Sequence, residues 1–481
     1  MTNSNVGPQS NAGNVGRREA FPQCPSRRTA PPPTHLAACL AAALALAAPA
    51  ALATNRVVAN CNDSGGGSLR ATVANAVDGD TVDLSQLVCS TITLTTGAIH
   101  IFTGVNNLTL TAGNGAVNAV TIDGGFSTGH HNRVLTHLGN GTLTVEGLIV
   151  TDAKYNSGPT FKGGCIYSLG NISLTGSTVS HCTVVGSAIT NIPVYGGGIY
   201  AVGNVNLLAS TVTDNVAQAT GPNVASGGGI FSSHGNVTAL YSSIANNSAL
   251  TPTIQSATGG GIFARANLNI SYSTISGNQA QISGGIRLKA TGGSHTAVIL
   301  NSTISGNRSS GSSFGNGGVY INGVPLTLSN STIAFNTTNA NDAGGLRVIN
   351  ATAQLQSSII ADNTAAGVAS DFGADATVTI TGANNLIFQS NVTVPADTLI
   401  GVCPKLQPAD DNGGSILTDA LLHTSPAIDK GNNAKALTYD ERGQFPFARV
   451  FGARADIGAY EWQGGPDNRI FHSGFESGCD E

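Results

Sequence analysis

The phrase Ser-Thr-Ile-x-x-Asn returns along this chain at a drifting but unbroken interval, and no other feature restricts the fold so strongly. Clear copies are Ser210-Thr211-Val212 with Asn215, Ser273-Thr274-Ile275 with Asn278, Ser302-Thr303-Ile304 with Asn307, and Ser331-Thr332-Ile333 with Asn336. Ser242-Ser243-Ile244 with Asn247 and Ser358-Ile359-Ile360 with Asn363 are close variants. Ser177-Thr178-Val179 carries Cys182 in place of the Asn, and Gly147-Leu148-Ile149 with Asp152 is an eroded copy. From Asp152 to Asn363 the steps are 30, 33, 32, 31, 29, 29 and 27 residues. A period in this range marks one supersecondary unit stacked on its neighbours, so the chain reads as a solenoid.

Each period holds three short strand signals. The first is a Gly-Gly-Ile phrase, as in Gly196-Gly197-Gly198-Ile199-Tyr200; the second follows a Gly-Asn corner, as in Gly203-Asn204-Val205-Asn206-Leu207; the third is the Ser-Thr-Val phrase ending at Asn215. Three strands in about 30 residues make one turn of a parallel β-helix. Alternation turns Val179, Val212, Ile244, Ile275, Ile304, Ile333 and Ile360 inward on one wall. Ile166, Ile199, Ile230, Ile262, Ile286, Val319 and Leu346 turn inward on another. The Asn of each copy is expected to take the left-handed turn of a sharp corner and to hydrogen-bond its amide to the next rung. Roughly nine or ten rungs are expected, spaced at about 4.8 Å.

Before the repeats, Ser68 to Ala76 reads as a short helix capped by Ser68, with Leu69, Val73 and Ala76 on one face, closing the open end of the first rung. The expected organisation is a signal peptide over 1–53, an N-terminal cap over 54–90, repeats over 91–395, an irregular region over 396–463 and a tail over 464–481. Export is read from Arg27 and Arg28 ahead of an apolar run from Leu36 to Ala53, ending Ala51-Leu52-Ala53. The run is Ala-rich and contains Pro49, which argues against a membrane anchor, and the mature chain has no transmembrane segment. The expected location is outside the cell, secreted or on the surface. Only 10% of the residues are charged and the net charge is −5, so a nucleic-acid partner is not expected. Six cysteines follow the signal: Cys61, Cys89, Cys165, Cys182, Cys403 and Cys479. An even number in an exported chain is compatible with disulfides, and proximity favours Cys61 with Cys89 and Cys165 with Cys182.

Three sets of motifs carry a resemblance. Asn60-Cys61-Asn62-Asp63-Ser64 through Ser68-Leu69-Arg70, with Cys89-Ser90-Thr91-Ile92-Thr93-Leu94, is one. The repeats are the second. Asp411-Asn412-Gly413-Gly414, Ser425-Pro426-Ala427-Ile428-Asp429, Asp440-Glu441-Arg442-Gly443 and Asp456-Ile457-Gly458-Ala459-Tyr460-Glu461 are the third. Together the chain resembles bacterial right-handed parallel β-helix repeat proteins with a choice-of-anchor Q region, and its repeats also resemble those of polymorphic outer-membrane proteins. The resemblance implies a secreted or surface protein with a pectin-lyase-like fold and no settled activity. The chain lacks the long series of alternating strands that a C-terminal translocating barrel needs.

The residue after each inward Ile forms an outward column: Tyr167, Tyr200, Phe231, Phe263, Arg287, Tyr320 and Arg347. Such a stripe could stack sugars of a polysaccharide or cell-surface glycan lying along the axis. It would equally arise if the rings only stabilise neighbouring rungs or lie under a loop. A lyase or hydrolase on this scaffold is the alternative function, and it needs convergent carboxylates. Asp214 and Asp362 share a register several rungs apart, Asp371 and Asp375 lie late with Arg347, and His130, His131 and His137 surround Arg133 with only Asp123 near. No catalytic residue is assigned, no cofactor is expected, and the reading favours a binding, adhesive or structural role. The carboxylates Asp410, Asp411, Asp429, Asp440, Asp456 and Glu461 could bind a structural Ca²⁺, but salt links to Arg442, Arg449 and Arg454 explain them better.

Overall fold

Alternating inward apolar residues, repeated at one period, close into three parallel walls in the computed structural model, which describes residues 53–113, 115–187, 192–221, 223–252 and 257–464. The expected signal peptide (except Ala53) and the tail beyond Gly464 lie outside the described residues. Among the described residues wall 1 has ten strands, from Ile99–Ile101 to Phe372–Ala374, and includes those of the Gly-Gly-Ile phrases. Wall 2 has twelve, from Asn55–Val57 to Thr379–Ala383, and includes those after the Gly-Asn corners. Wall 3 holds the Ser-Thr-Ile strands, stacked from Thr91–Thr93 to Leu399–Ile400. The fold is therefore an all-β parallel solenoid with almost no helix. Wall 2 begins earlier than the repeats, because Asn55–Val57 pairs in parallel with Thr81–Asp83.

The two inward columns stack in register. Ile199 pairs with Ile166 and Ile230 on wall 1, and Val212 with Val179 and Ile244 on wall 3, all fully buried. The helix Leu69–Ala74 takes its cap from the Ser68 hydroxyl, which accepts from Ala71 N, and buries Leu69 and Val73 against the first rungs. Arg70 ties this end together: its Nη2 meets Asp63 Oδ1 at 2.6 Å and its Nη1 donates to Ala98 O. Disulfides join Cys61 to Cys89 and Cys165 to Cys182, the pairs that proximity favours.

The Asn corner differs from expectation. The left-handed residue is the one before the Asn: Asp214, Asn246, Phe335 and Asp362 all have φ between 54° and 56°. With the turn made one position earlier, the Asn is free to point inward, and the amides form a ladder. Asn215 Nδ2 donates to Asn247 Oδ1 at 2.9 Å, Asn247 to Asn278 at 3.0 Å, and so on to Asn363, whose Nδ2 donates to Asp371 Oδ1. Every Asn in it is fully buried, so each amide depends on its neighbour for satisfaction.

The ladder also explains the Gly-Gly-Ile phrase. A Cβ on Gly198 would stand 2.9 Å from Asn215 Cγ, one on Gly229 2.9 Å from Asn247 Cγ, and one on Gly318 3.1 Å from Asn336 Cγ. The two phrases of the repeat are thus one contact across the rung. Ile166 pairs with Ile199, which puts Cys165 where Gly198 stands one rung on, and Cys182 occupies the Asn position. The Cys165–Cys182 disulfide replaces the Gly–Asn contact in the rung that lacks it.

Residues 406–461 fold back over the outer face of wall 3. Leu406, Leu421, Ala427 and Ile457 bury Ala334, Ile359, Ala361 and Leu386. Polar contacts extend the cover: Thr274 Oγ1 donates to Leu417 O at 2.6 Å, Asn301 Nδ2 to Tyr439 O, and Ala459 N to Thr332 Oγ1. Among the described residues no helix is long and apolar enough to cross a membrane.

Candidate functional site

Wall 1 places the seven column residues as alternation requires. Tyr167, Tyr200, Phe231, Phe263, Arg287, Tyr320 and Arg347 pair with one another rung by rung, opposite the inward Ile. Their rings, however, do not form an open platform. Neighbouring rings are nearly coplanar in orientation, within 8° to 10°, and their centroids are 5.1 to 5.6 Å apart, close to the rung spacing. Each ring is therefore stacked on the next along the axis, and its face is used within the ladder. Tyr200, Phe231 and Phe263 are only 4%, 1% and 7% exposed. The expectation of flat sugar-stacking surfaces at these three positions is corrected: only edges could be presented outward.

Three cations and one further ring enclose the ladder. Tyr195 stacks on Phe231 at 4.2 Å. Lys162 Nζ lies 4.8 Å from the Tyr200 ring, Arg265 spans Phe231 and Phe263 at 5.5 and 5.6 Å, and Arg133 lies 5.0 Å from Tyr167 and 3.4 Å from Tyr155. Tyr195 and Lys162 come from a small side sheet, Phe161–Lys162, Val194–Tyr195, Ala225–Ser226 and Ala257–Thr258, just ahead of the glycine turns. Sequence reasoning missed them because that sheet has no apolar alternation long enough to register. Arg265 was legible, since it lies two residues after Phe263 and alternation puts both on one face.

Beyond Phe263 the column is partly exposed and carries two cations, Arg287 and Arg347. The Arg287 guanidinium lies 3.8 Å from the Tyr320 ring, and its Nε has no hydrogen-bond partner. Arg347 Nε meets Asp342 Oδ1 at 3.2 Å. Burial pushes the Asp342 carboxyl up, with Arg347 opposing. Asp371 is not part of this surface: it ends the Asn ladder, and burial raises it to about 7 against the donors Asn363 and Gln389.

The structure does not bring the three histidines together. His137 is fully buried, with Nδ1 2.8 Å from Ser168 Oγ and Nε2 2.9 Å from Asn106 O, while His131 is exposed beside Phe126. Asp123 does gain a carboxylate neighbour: burial raises its pKa, and Asp152 from the next rung raises it further. Nothing in the sequence spacing signalled that pair beyond the eroded repeat copy at Asp152.

The C-terminal carboxylates are committed to the cover. Asp440 meets Arg442 Nη2 at 2.5 Å, and Arg442 is stacked between Phe447 and Tyr460. Glu461 accepts from Phe451 N and Asp456 N and lies 3.6 Å from Arg449. Asp456 accepts from Asp429 N and Trp462 N, while Asp429 accepts from Arg454 N. With oxygens so engaged the set suits Ca²⁺ poorly, and among the described residues no group of three or more His, Cys, Asp or Glu is arranged to hold a metal ion. Glu441 is buried against Thr303, accepting from its N at 2.8 Å and from its hydroxyl.

No family model matches the chain. No curated protein matches it either. Among solved structures it is similar to one titled "Crystal structure of pectate lyase Pel9A", at 16% identity and a TM-score of 0.49, over 85% of this chain and 96% of that one. At that level of likeness the fold rests on the strand pairing itself.

Proposed function

We propose that the protein is an exported or surface-held binding element that lays an extended polysaccharide along the outer face of wall 1, with residues 396–463 as its choice-of-anchor-like region. The observation that supports this most directly is the in-register column from Tyr167 to Arg347, in which Tyr167, Arg287, Tyr320 and Arg347 are partly exposed. A track with a fixed repeat suits a polymer of repeating units running parallel to the axis. Wall 3 lacks such a track from Thr274 to Leu386, where the cover buries it. The test is co-sedimentation of the whole chain with a panel of insoluble polysaccharides. A Tyr320→Ala, Arg287→Ala variant is expected to retain about tenfold less protein. Equal retention by the variant overturns the assignment to wall 1.

A second reading, a carbohydrate-active enzyme, draws on the Asp123 and Asp152 carboxylates, whose shared environment raises Asp123. Release of reducing ends or unsaturated uronides from the same panel, abolished by Asp123→Asn, would carry it. A panel left intact removes it.

A further inference from the structure

We infer that the polymer held by wall 1 is an acidic glycan, a linear chain with a carboxylate or sulfate on its repeating sugars. The inference rests on the polysaccharide reading above and names its class. Charge on this solenoid is segregated. Between Thr91 and Pro395 the Lys and Arg residues are Arg133, Lys154, Lys162, Arg265, Arg287, Lys289, Arg308 and Arg347. All but Lys154 and Arg308 stand on or over wall 1: Arg287, Lys289 and Arg347 within its strands, Arg265, Lys162 and Arg133 against its rings. The carboxylates of the same stretch gather elsewhere, with Asp152, Asp214 and Asp362 in the left-handed corner that follows wall 3. Among the described residues the only ion pair on wall 1 is Arg347 with Asp342, and Asp375 adds a second, weaker neighbour to that Arg. The remaining cations on the wall have no carboxylate partner there, in a chain whose net charge is −5.

This charge is open to solvent: Lys289 is exposed, and Arg287, whose guanidinium lies against the Tyr320 ring, is partly exposed. Cations without a carboxylate partner favour an incoming oxyanion. Stacked rings keep their electron-rich faces inside the ladder and leave no open aromatic face on this wall between Tyr200 and Phe263. The same geometry disfavours single-stranded nucleic acid, whose bases need open aromatic faces on which to stack.

Affinity electrophoresis of the whole chain tests the class, with alginate as a polyuronate, dextran sulfate as a sulfated chain, dextran as the neutral control and single-stranded DNA as the competing polyanion. Alginate or dextran sulfate is expected to retard the protein, and whichever is stronger assigns the acid group. Raising the salt from about 50 mM to about 500 mM is expected to weaken that binding about tenfold. Lys289→Gln with Arg265→Gln is expected to weaken it about fivefold at low salt. Lys289 is exposed, so the single Lys289→Gln variant serves as the form whose folding is not in question. Retardation by dextran equal to that by alginate, without salt dependence, overturns the acidic class but leaves the wall reading standing if the variants still weaken it. DNA binding as strong as alginate binding overturns the glycan assignment. Acidic-glycan binding that none of these variants weakens, or no binding to any polymer, overturns the class and the wall reading together.

Discussion

On wall 3 the outward residues Thr303, Thr332 and Ile359 are buried beneath residues 406–461, whereas Arg287, Tyr320 and Arg347, on wall 1 of the same rungs, are reached by solvent. One repeat builds both walls, and its inward half is the same in each: a column of Ile or Val at the strand-pairing distance. The difference lies wholly in the outward half. Wall 3 turns from Thr211 and Thr213, partly exposed, to Thr332, Ala334, Ile359 and Ala361, buried. That gradient toward small and apolar residues is what lets an irregular segment lie flat against a sheet. The cover then brings in acids, with Asp419, Asp440, Glu441, Asp456 and Glu461 all buried against only Arg442 and Arg449. Wall 1 instead carries cations, Arg287, Lys289 and Arg347, on its strands. A parallel solenoid can thus vary chemistry face by face while its rungs stay identical.

The largest expected effect comes from breaking the cover's ionic centre. Arg449 is fully buried, meets Glu461 and donates to the carbonyls of Asp456 and Ala459. Arg449→Ala leaves those acceptors unmet, and a loss of about 3–5 kcal/mol is expected in chemical denaturation. On wall 1 the matching deletion is Phe231→Ala, in the middle of the ring ladder and packed against Tyr195, Tyr200 and Phe263. A cost of about 3 kcal/mol is expected there. If Phe231→Ala leaves the denaturation midpoint unchanged, the ladder does not pack the wall.

The pH dependence separates the cover from the N-terminal end by sign. Burial raises Asp456 to about 6 and Glu461 to about 8, with Arg449 opposing both, and it lifts Asp419 and Glu441 well above the ordinary carboxylate range. The folded cover therefore binds protons that the unfolded chain has released. Its stability is complete below the ordinary carboxylate values and declines as pH rises toward and through the folded ones. Asp63 and Asp80 behave in reverse. Burial opposes their ionisation, but hydrogen bonds from Thr96, Arg70 and Thr95 to Asp63, and from Val77, Arg56 and Thr54 to Asp80, outweigh it and hold both at about 2. Their contribution is present above the ordinary values and is lost as pH falls toward 2. Hydrogen exchange read by peptide mass should show residues 406–461 loosening toward alkaline pH and residues 55–98 loosening toward acid. Uniform loosening across both segments in either direction would remove the contrast.

What the sequence made legible follows period. The strands, the inward columns and the outward direction of Tyr167 to Arg347 all repeat every rung, and alternation needs no knowledge of distant contacts. The Asn position was visible, but the left-handed residue beside it was not, because that place varies among Asp214, Asn246, Gly277, Gly306, Phe335 and Asp362 while the Asn after it does not. The irregular region and the pairing of its carboxylates with Arg442 and Arg449 were legible, but its seat on wall 3 was not. Glu441 meets Thr303 across 138 residues and Ala459 meets Thr332 across 127, with no period to announce either contact. The sequence left the ring faces open between a sugar platform and stacking between rungs for a related reason: outward alternation gives direction, whereas Tyr195 and Lys162 reach the rings from the side sheet.

The smallest effects test whether the contrast within wall 3 is real. Thr303 and Thr211 occupy equivalent places, the first position of a Thr-Ile or Thr-Val strand, and each pairs with its neighbours in the same register. Thr303 is fully buried and gives both its N–H and its hydroxyl to Glu441. Thr303→Val keeps the shape and the backbone donor but takes the hydroxyl away from a buried carboxyl group, at a cost of about 1–3 kcal/mol. Thr211 lies outside the cover and is partly exposed, so Thr211→Val should stay within about 0.5 kcal/mol of the parent. The pair of melting curves is decisive because propensity favours Val equally at both sites. Equal shifts would mean that the outer face of wall 3 is chemically uniform and that residues 406–461 rest on it without engaging it.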